Sequence, residues 1–157
     1  MAAEGAEFLF QGRAEADYCL GGWLPLVRAR DDEFWQMAAE RLMVESFWLP
    51  SSVLPDQGVH WREQDQNRAT ALFPAAAGEA AINVTIDDQG ALTELSMVRL
   101  RRTARGLASK TPFGIRFDGI ARFDGYTIPR SAVAVWNYGT DAGFEFMRLN
   151  LETARFY

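Results

Sequence analysis

Cysteine and histidine are nearly missing from this chain: its 157 residues contain one of each, Cys19 and His60. A single cysteine can form neither an intramolecular disulfide nor a thiolate cluster. One His and one Cys at distant positions assemble no metal site, so neither a metal nor a cofactor is expected. Long apolar runs are missing as well, and none approaches the ~20 residues that a helix needs to cross a bilayer. A surplus of positive charge is also absent. The 16 Lys and Arg stand against 21 Asp and Glu, a formal charge of −5, which is not the electrostatic footprint of a nucleic-acid binder. The start, Met1-Ala-Ala-Glu-Gly-Ala6, has no cationic region followed by an apolar one. Together with a lone cysteine, read as a small buried hydrophobe, this leads to the expectation of a cytoplasmic protein. Nucleotide-binding glycine loops, a Walker loop, a nucleophile elbow and a zinc-protease motif are all absent, and Ser51 and Ser131 have no evident base beside them.

What is present is an ordinary globular composition, 48% apolar and 24% charged, in a length that suits one domain over residues 1–157. One segment has a helical period. Between Asp31 and Trp48, Phe34, Met37, Ala38, Leu42, Val44 and then Phe47 or Trp48 recur at spacings of three and four. Asp32, Glu33, Gln36 and Glu40 stay off that stripe. Asp31 or Asp32 can cap the start, and Pro50 closes the end.

Elsewhere the period is two. Ile82, Val84 and Ile86 alternate with polar or small neighbours, Asp87-Asp88-Gln89-Gly90 supplies a turn, and Leu92 to Arg102 returns as the second arm of a hairpin. Phe113, Ile115, Phe117, Ala121 and Phe123 share a face, with Gly119 at a bulge or bend. Further strands are expected at 8–11, 14–20, 59–64, 68–73, 127–137, 144–149 and 151–156. Glu7-Phe-Leu-Phe-Gln-Gly12 resembles a protease recognition sequence, but Arg13 follows it in place of Pro, and the stretch is read as strand. The expected fold class is α+β: a strongly curved antiparallel β-sheet, half-barrel or open barrel, of about eight or nine strands, wrapped around one long α-helix. Pro74-Ala-Ala-Ala-Gly78 is the best candidate for a flexible loop.

Arg41, Leu42, Glu45, Trp48, Pro50 and Ser51, then Val59 and Trp61 before a polar turn, resemble the signature of an uncharacterised bacterial family known only as a domain of unknown function. The same resemblance takes in Ile86 to Gly90, Arg99 or Arg101, Thr111-Pro112-Phe113, Gly125-Tyr-Thr-Ile-Pro129 and Trp136-Asn-Tyr-Gly139, from about Gly12 to Tyr157. Phe113 stands where that pattern has Trp, and members of the family extend further at the N-terminus. The resemblance implies an architecture and no activity. The expected curved sheet with its helix is also similar to lipoprotein-carrier half-barrels, a likeness of fold alone.

Eleven Phe, five Trp and four Tyr either fill the core or line a cavity. Trp48, Trp61 and Trp136 are the candidate walls. Leu95, Met97, Arg99 and Arg101 share a strand face by alternation, so either Arg99 or Arg101 could offer a forked donor to an anionic head group, unless a bulge turns both to solvent. Glu45, within an apolar helical stretch, is expected to be buried and salt-bridged to Arg41 or Arg99, or else to serve as an acid or base. His60 and Tyr126 are the other acid–base candidates. Three readings follow. The first is a binding module for a hydrophobic or amphipathic, in one version anionic, small molecule. The second is a cavity enzyme of isomerase or cyclase type. The third is a structural or protein-interaction domain with a filled core. Oligomeric state is left open.

Overall fold

The computed structural model describes residues 3–10, 13–20, 24–29, 32–75, 78–103 and 106–157, with backbone alone over 3–29. The packing expected of Cys19, a cap from Asp31 and residues 76–77 lie outside what is described, and of the segment expected as a loop Pro74, Ala75 and Gly78 instead belong to paired strands. The chain divides into two compact units, residues 1–42 with 100–109, and residues 43–99 with 110–157.

The first unit contains a three-stranded antiparallel sheet of β1 (Ala3–Phe10), β2 (Arg13–Leu20) and β3 (Leu24–Ala29), in that order. Strand β3, which carries Pro25, has no counterpart among the sequence expectations. At the end of a sheet the missing N–H is tolerated, and the β2–β3 register shifts next to the Cys19↔Pro25 pair. The helix α1 runs Asp32–Glu45 and continues as a 3₁₀ turn, Ser46–Trp48. Asp32 and Glu33 occupy its first turn, where carboxylates suit the helix dipole.

Two side chains on this helix reverse the expected pattern. Leu42 is 55% exposed and is no core residue, while Glu40, expected on the polar side, is only 8% exposed. The Glu40 carboxylate accepts the Leu100 backbone N–H at 2.7 Å and the Gln36 amide at 2.8 Å. Those bonds compensate the burial of its charge. Arg102 pairs with Glu33 at 2.5 Å in the same unit.

A seven-stranded sheet belongs mostly to the second unit, with residues 100–102 and 108–109 of its strands falling in the first. Its strands are β4 (His60–Asp65), β5 (Arg68–Ala75), β6 (Gly78–Ile86), β7 (Leu92–Arg102), β8 (Ala108–Phe123), β9 (Tyr126–Trp136) and β10 (Phe144–Asn150). The order β10-β9-β8-β7-β6-β5-β4 is a meander that does not close, and every described register is antiparallel. The Leu151–Phe156 stretch, expected as a strand, forms no regular element. Turn chemistry places the hairpins. Asp87 Oδ1 accepts N–H groups from Gln89 and Ala91 at 2.9 and 2.8 Å. Asp124 and Gly125 both take positive φ, 46° and 93°, in the two-residue turn between β8 and β9.

One face of this sheet is the core. Ile82, Leu95, Met97, Phe113, Ile115 and Ala134 are buried there, joined by Val44 from the last turn of α1 and Phe47 from the 3₁₀ turn. The alternation expected along β8 holds: Phe113↔Trp136, Ile115↔Ala134 and Phe117↔Ala132 share the core face.

On the opposite face Gly114 is buried beneath Tyr138, whose ring atoms would lie 2.3–2.6 Å from a Cβ added at that glycine. Burial first, and then its hydrogen bond to the Glu94 carboxylate, push the Tyr138 phenol up to about 12. The folded chain therefore holds this proton more tightly than the unfolded chain, where tyrosine ionises near ~10. The resulting stability is whole below about pH 10 and is lost as the pH rises through about 12. A phenolate absorbance titration is expected to show one tyrosine ionising near pH 12, and Tyr138→Phe to remove that step. A step that survives the substitution would assign it to another residue.

Candidate functional site

In the second unit a cleft of about 390 Å³ lies between the segment after α1, the outer part of β9 and β10, and the C-terminal tail. That volume falls in the range of small-molecule pockets. Each wall has a separate local cause. Trp48 comes from the 3₁₀ turn, and its indole N–H donates to the Pro129 carbonyl at 3.0 Å, with its ring edge-on to Phe117 at 5.1 Å. Ile128 and Arg130 alternate onto the core face of β9 and reach the cleft beyond the filled part of the core. Leu149 belongs to the same face, opposite Ala132.

The tail closes the far side through two long-range hydrogen bonds. Leu151 N–H donates to the Arg130 carbonyl at 2.7 Å, and Phe156 N–H donates to Asp124 Oδ2 at 3.0 Å. Between those anchors Leu151, Ala154 and Phe156 add apolar wall, and Arg155 adds a second guanidinium to that of Arg130. The rest of the polar lining is Glu45 and Asn150. A guanidinium is a planar, forked donor suited to carboxylate and phosphate oxygens, and this lining contains two.

Of the residues singled out from sequence, Glu45 and Trp48 lie in this cleft. Glu45 is exposed, which corrects the expectation that it is buried in the core. The acidic residue buried on α1 is Glu40, one turn earlier. The three tryptophans are not brought together. Trp61 is on β4, where its indole N–H donates to the Val53 carbonyl at 2.9 Å and its ring meets Phe47 at 6.3 Å. Trp136 packs on Phe113 at 5.1 Å and on Phe146 at 5.6 Å.

Arg99 is 8% exposed, so the alternation along β7 holds through it and no bulge turns it to solvent. Its guanidinium stands 4.5 Å from the Phe113 ring centre and 5.6 Å from that of Trp136. A cation over two aromatic faces is held by their quadrupoles. Arg101 is partly buried and belongs to the first unit. His60 is exposed on β4, opposite Leu72. Tyr126 leans on Phe156 with ring centres 4.5 Å apart, and so stands behind a cleft residue without lining the cleft itself. Glu45 alone of the three acid–base candidates lines it.

Arg130 and Arg155 had no place among the sequence candidates. Alternation along β9 carried a signal for Arg130, which shares its face with Ile128 and Ala132. Nothing comparable marks Arg155, because the tail is positioned by bonds to residues more than twenty positions away. Among the described residues no group of His, Cys, Asp and Glu could hold a metal ion, and no helix is long and apolar enough to cross a membrane.

Residues 1–149 match the family described as a family of unknown function, DUF6544, and the chain belongs to that family. The match begins at the first residue, ahead of the Gly12 from which the resemblance was expected to run, and it covers parts of both units. No curated protein and no solved structure was found to match.

Proposed function

We propose that this chain is a small binding module that holds an amphipathic anion, of the medium-chain fatty-acid type, in the cleft beside Trp48. The observation that carries the reading is the composition of that cleft: about 390 Å³ walled by Trp48, Ile128, Leu149 and Phe156, with Arg130 and Arg155 in the same lining. Burial of the tail supplies the affinity and the guanidiniums orient the head. A curved sheet sheltering its ligand as a half-barrel is part of this reading, and so is a site on the core face at one end of the strand order. The polar set of Glu45, Arg130, Asn150 and Arg155 suits anion capture better than proton transfer, since it places no second acid or base opposite Glu45.

Titration with decanoate, followed by tryptophan fluorescence, tests the proposal. Arg130→Ala and Arg155→Ala are each expected to weaken binding about tenfold, the ~1.4 kcal/mol of one charge-assisted contact. Lengthening the chain by one methylene is expected to tighten it about fourfold, from ~0.8 kcal/mol per buried CH₂. A flat fluorescence response, or binding indifferent to both arginines, would remove the anion from the cleft.

A further inference from the structure

Strands β4 and β10 end the seven-stranded order, and they are guarded differently. Strand β4 reads His-Trp-Arg-Glu-Gln-Asp, a charged edge of the kind that discourages further pairing. Strand β10 reads Phe-Glu-Phe-Met-Arg-Leu-Asn, and its four large apolar residues, Phe144, Phe146, Met147 and Leu149, are between 38% and 43% exposed.

Those four share one face. Phe144, Met147 and Leu149 lie opposite Trp136, Ala134 and Ala132 of the core face, and Phe146, at the register shift, packs its ring on Phe113 and Trp136. Glu145 and Arg148 take the other face. Glu145 pairs there with Arg116 at 2.7 Å and with Arg148.

We propose that β10 pairs antiparallel with β10 of a second copy of this chain across a two-fold axis between Phe146 and Met147. Residues directly opposite in an antiparallel pair share a face, and the shift at Phe146 breaks the simple alternation. Of the registers that engage more than half of the strand against itself, only one then matches faces throughout. Phe144 meets Leu149, Phe146 meets Met147, and Glu145 meets Arg148. The same register places opposite charges together twice, once on each side of the axis, and joins the two apolar quartets into one stripe. A shift by one residue in either direction sets apolar side chains against charges. The second copy's Phe144 stands beside Leu149, which also walls the cleft, so the interface and the cleft share a residue.

The register makes a distinctive demand on charge variants. Glu145→Arg alone sets arginine against arginine at both positions, and Arg148→Glu alone sets glutamate against glutamate. An equimolar mixture of the two variants restores both opposite-charge contacts, in a heterodimer. Sedimentation velocity over a dilution series is expected to show the wild type moving to twice the 17.6 kDa of the chain as concentration rises. Each single variant is expected to dissociate about tenfold or more readily, and the mixture to recover dimer. Met147→Lys, at an exposed position that leaves the core untouched, is expected to give monomer with unchanged thermal unfolding. A wild type that stays monomeric at every concentration, a mixture no tighter than its components, or a Met147→Lys protein that still dimerises would overturn the proposal.

Discussion

Leu95→Ala is expected to cost about 2–5 kcal/mol of folding stability, and Leu42→Ala less than about 0.5 kcal/mol. Leu95 is 1% exposed on the core face of β7 and Leu42 is 55% exposed on α1. Truncating the first forfeits the transfer energy of its methyl groups and leaves a cavity that close-packed neighbours fill only in part. Truncating the second removes little that was shielded from water. Urea denaturation of both variants separates the two effects by midpoint at constant slope. Equal losses would mean that the helix contributes Leu42 to a core after all.

Gly114→Ala is the second substitution expected to have a large effect. Its new methyl would stand 2.3 Å from Tyr138 Cγ and 2.4 and 2.6 Å from the two Cδ atoms, distances that no rotamer change at the alanine can relieve. Either the ring leaves its seat or the β8 backbone shifts, and overpacking of this kind costs about 1–3 kcal/mol. The ring's hydrogen bond to Glu94 would be lost with its seat. Tyr138→Ala in the same chain removes the obstacle. The double variant is therefore expected to be more stable than the sum of the single losses predicts, and the difference measures the contact itself. Additive losses would show that ring and glycine do not touch.

The sheet was legible in the sequence and the cleft largely was not, for related reasons. Alternation along Ile82–Ile86, Leu92–Arg102 and Phe113–Phe123 is a local consequence of one buried face, so the strands and their inward residues follow from pattern alone. The turns at Asp87–Gly90 and Asp124–Gly125 are likewise local, set by side-chain capping and positive φ. The helix was found within a few residues, and Val44 and Phe47 are buried as its stripe predicts, but the pattern fails at Leu42 and Glu40. The stripe through Leu42 and the polar side through Glu40 exchanged roles because Glu40 is satisfied by a backbone N–H sixty residues away, at Leu100. Arg99 was read on the correct strand face, yet its aromatic neighbours lie on β8 and β9. The three tryptophans were grouped by residue type, and each is fixed by a different carbonyl or ring: Trp48 by Pro129, Trp61 by Val53 and Trp136 by Phe113. The cleft depends on the tail after β10, whose alternation resembles a strand and whose position rests on two long-range bonds.

The most direct measurement of the central claim follows the five indole N–H signals by nuclear magnetic resonance during a decanoate titration. Trp48 borders the cleft with its N–H on the Pro129 carbonyl, whereas Trp61 is bonded to Val53 and Trp136 packs on Phe113. If the cleft is the binding site, the Trp48 signal moves in a saturable way while those of Trp61 and Trp136 stay in place, and Arg130→Ala shifts the midpoint to higher decanoate. A Trp48 signal that does not move, or a saturable response centred on Trp61 or Trp136, would contradict it.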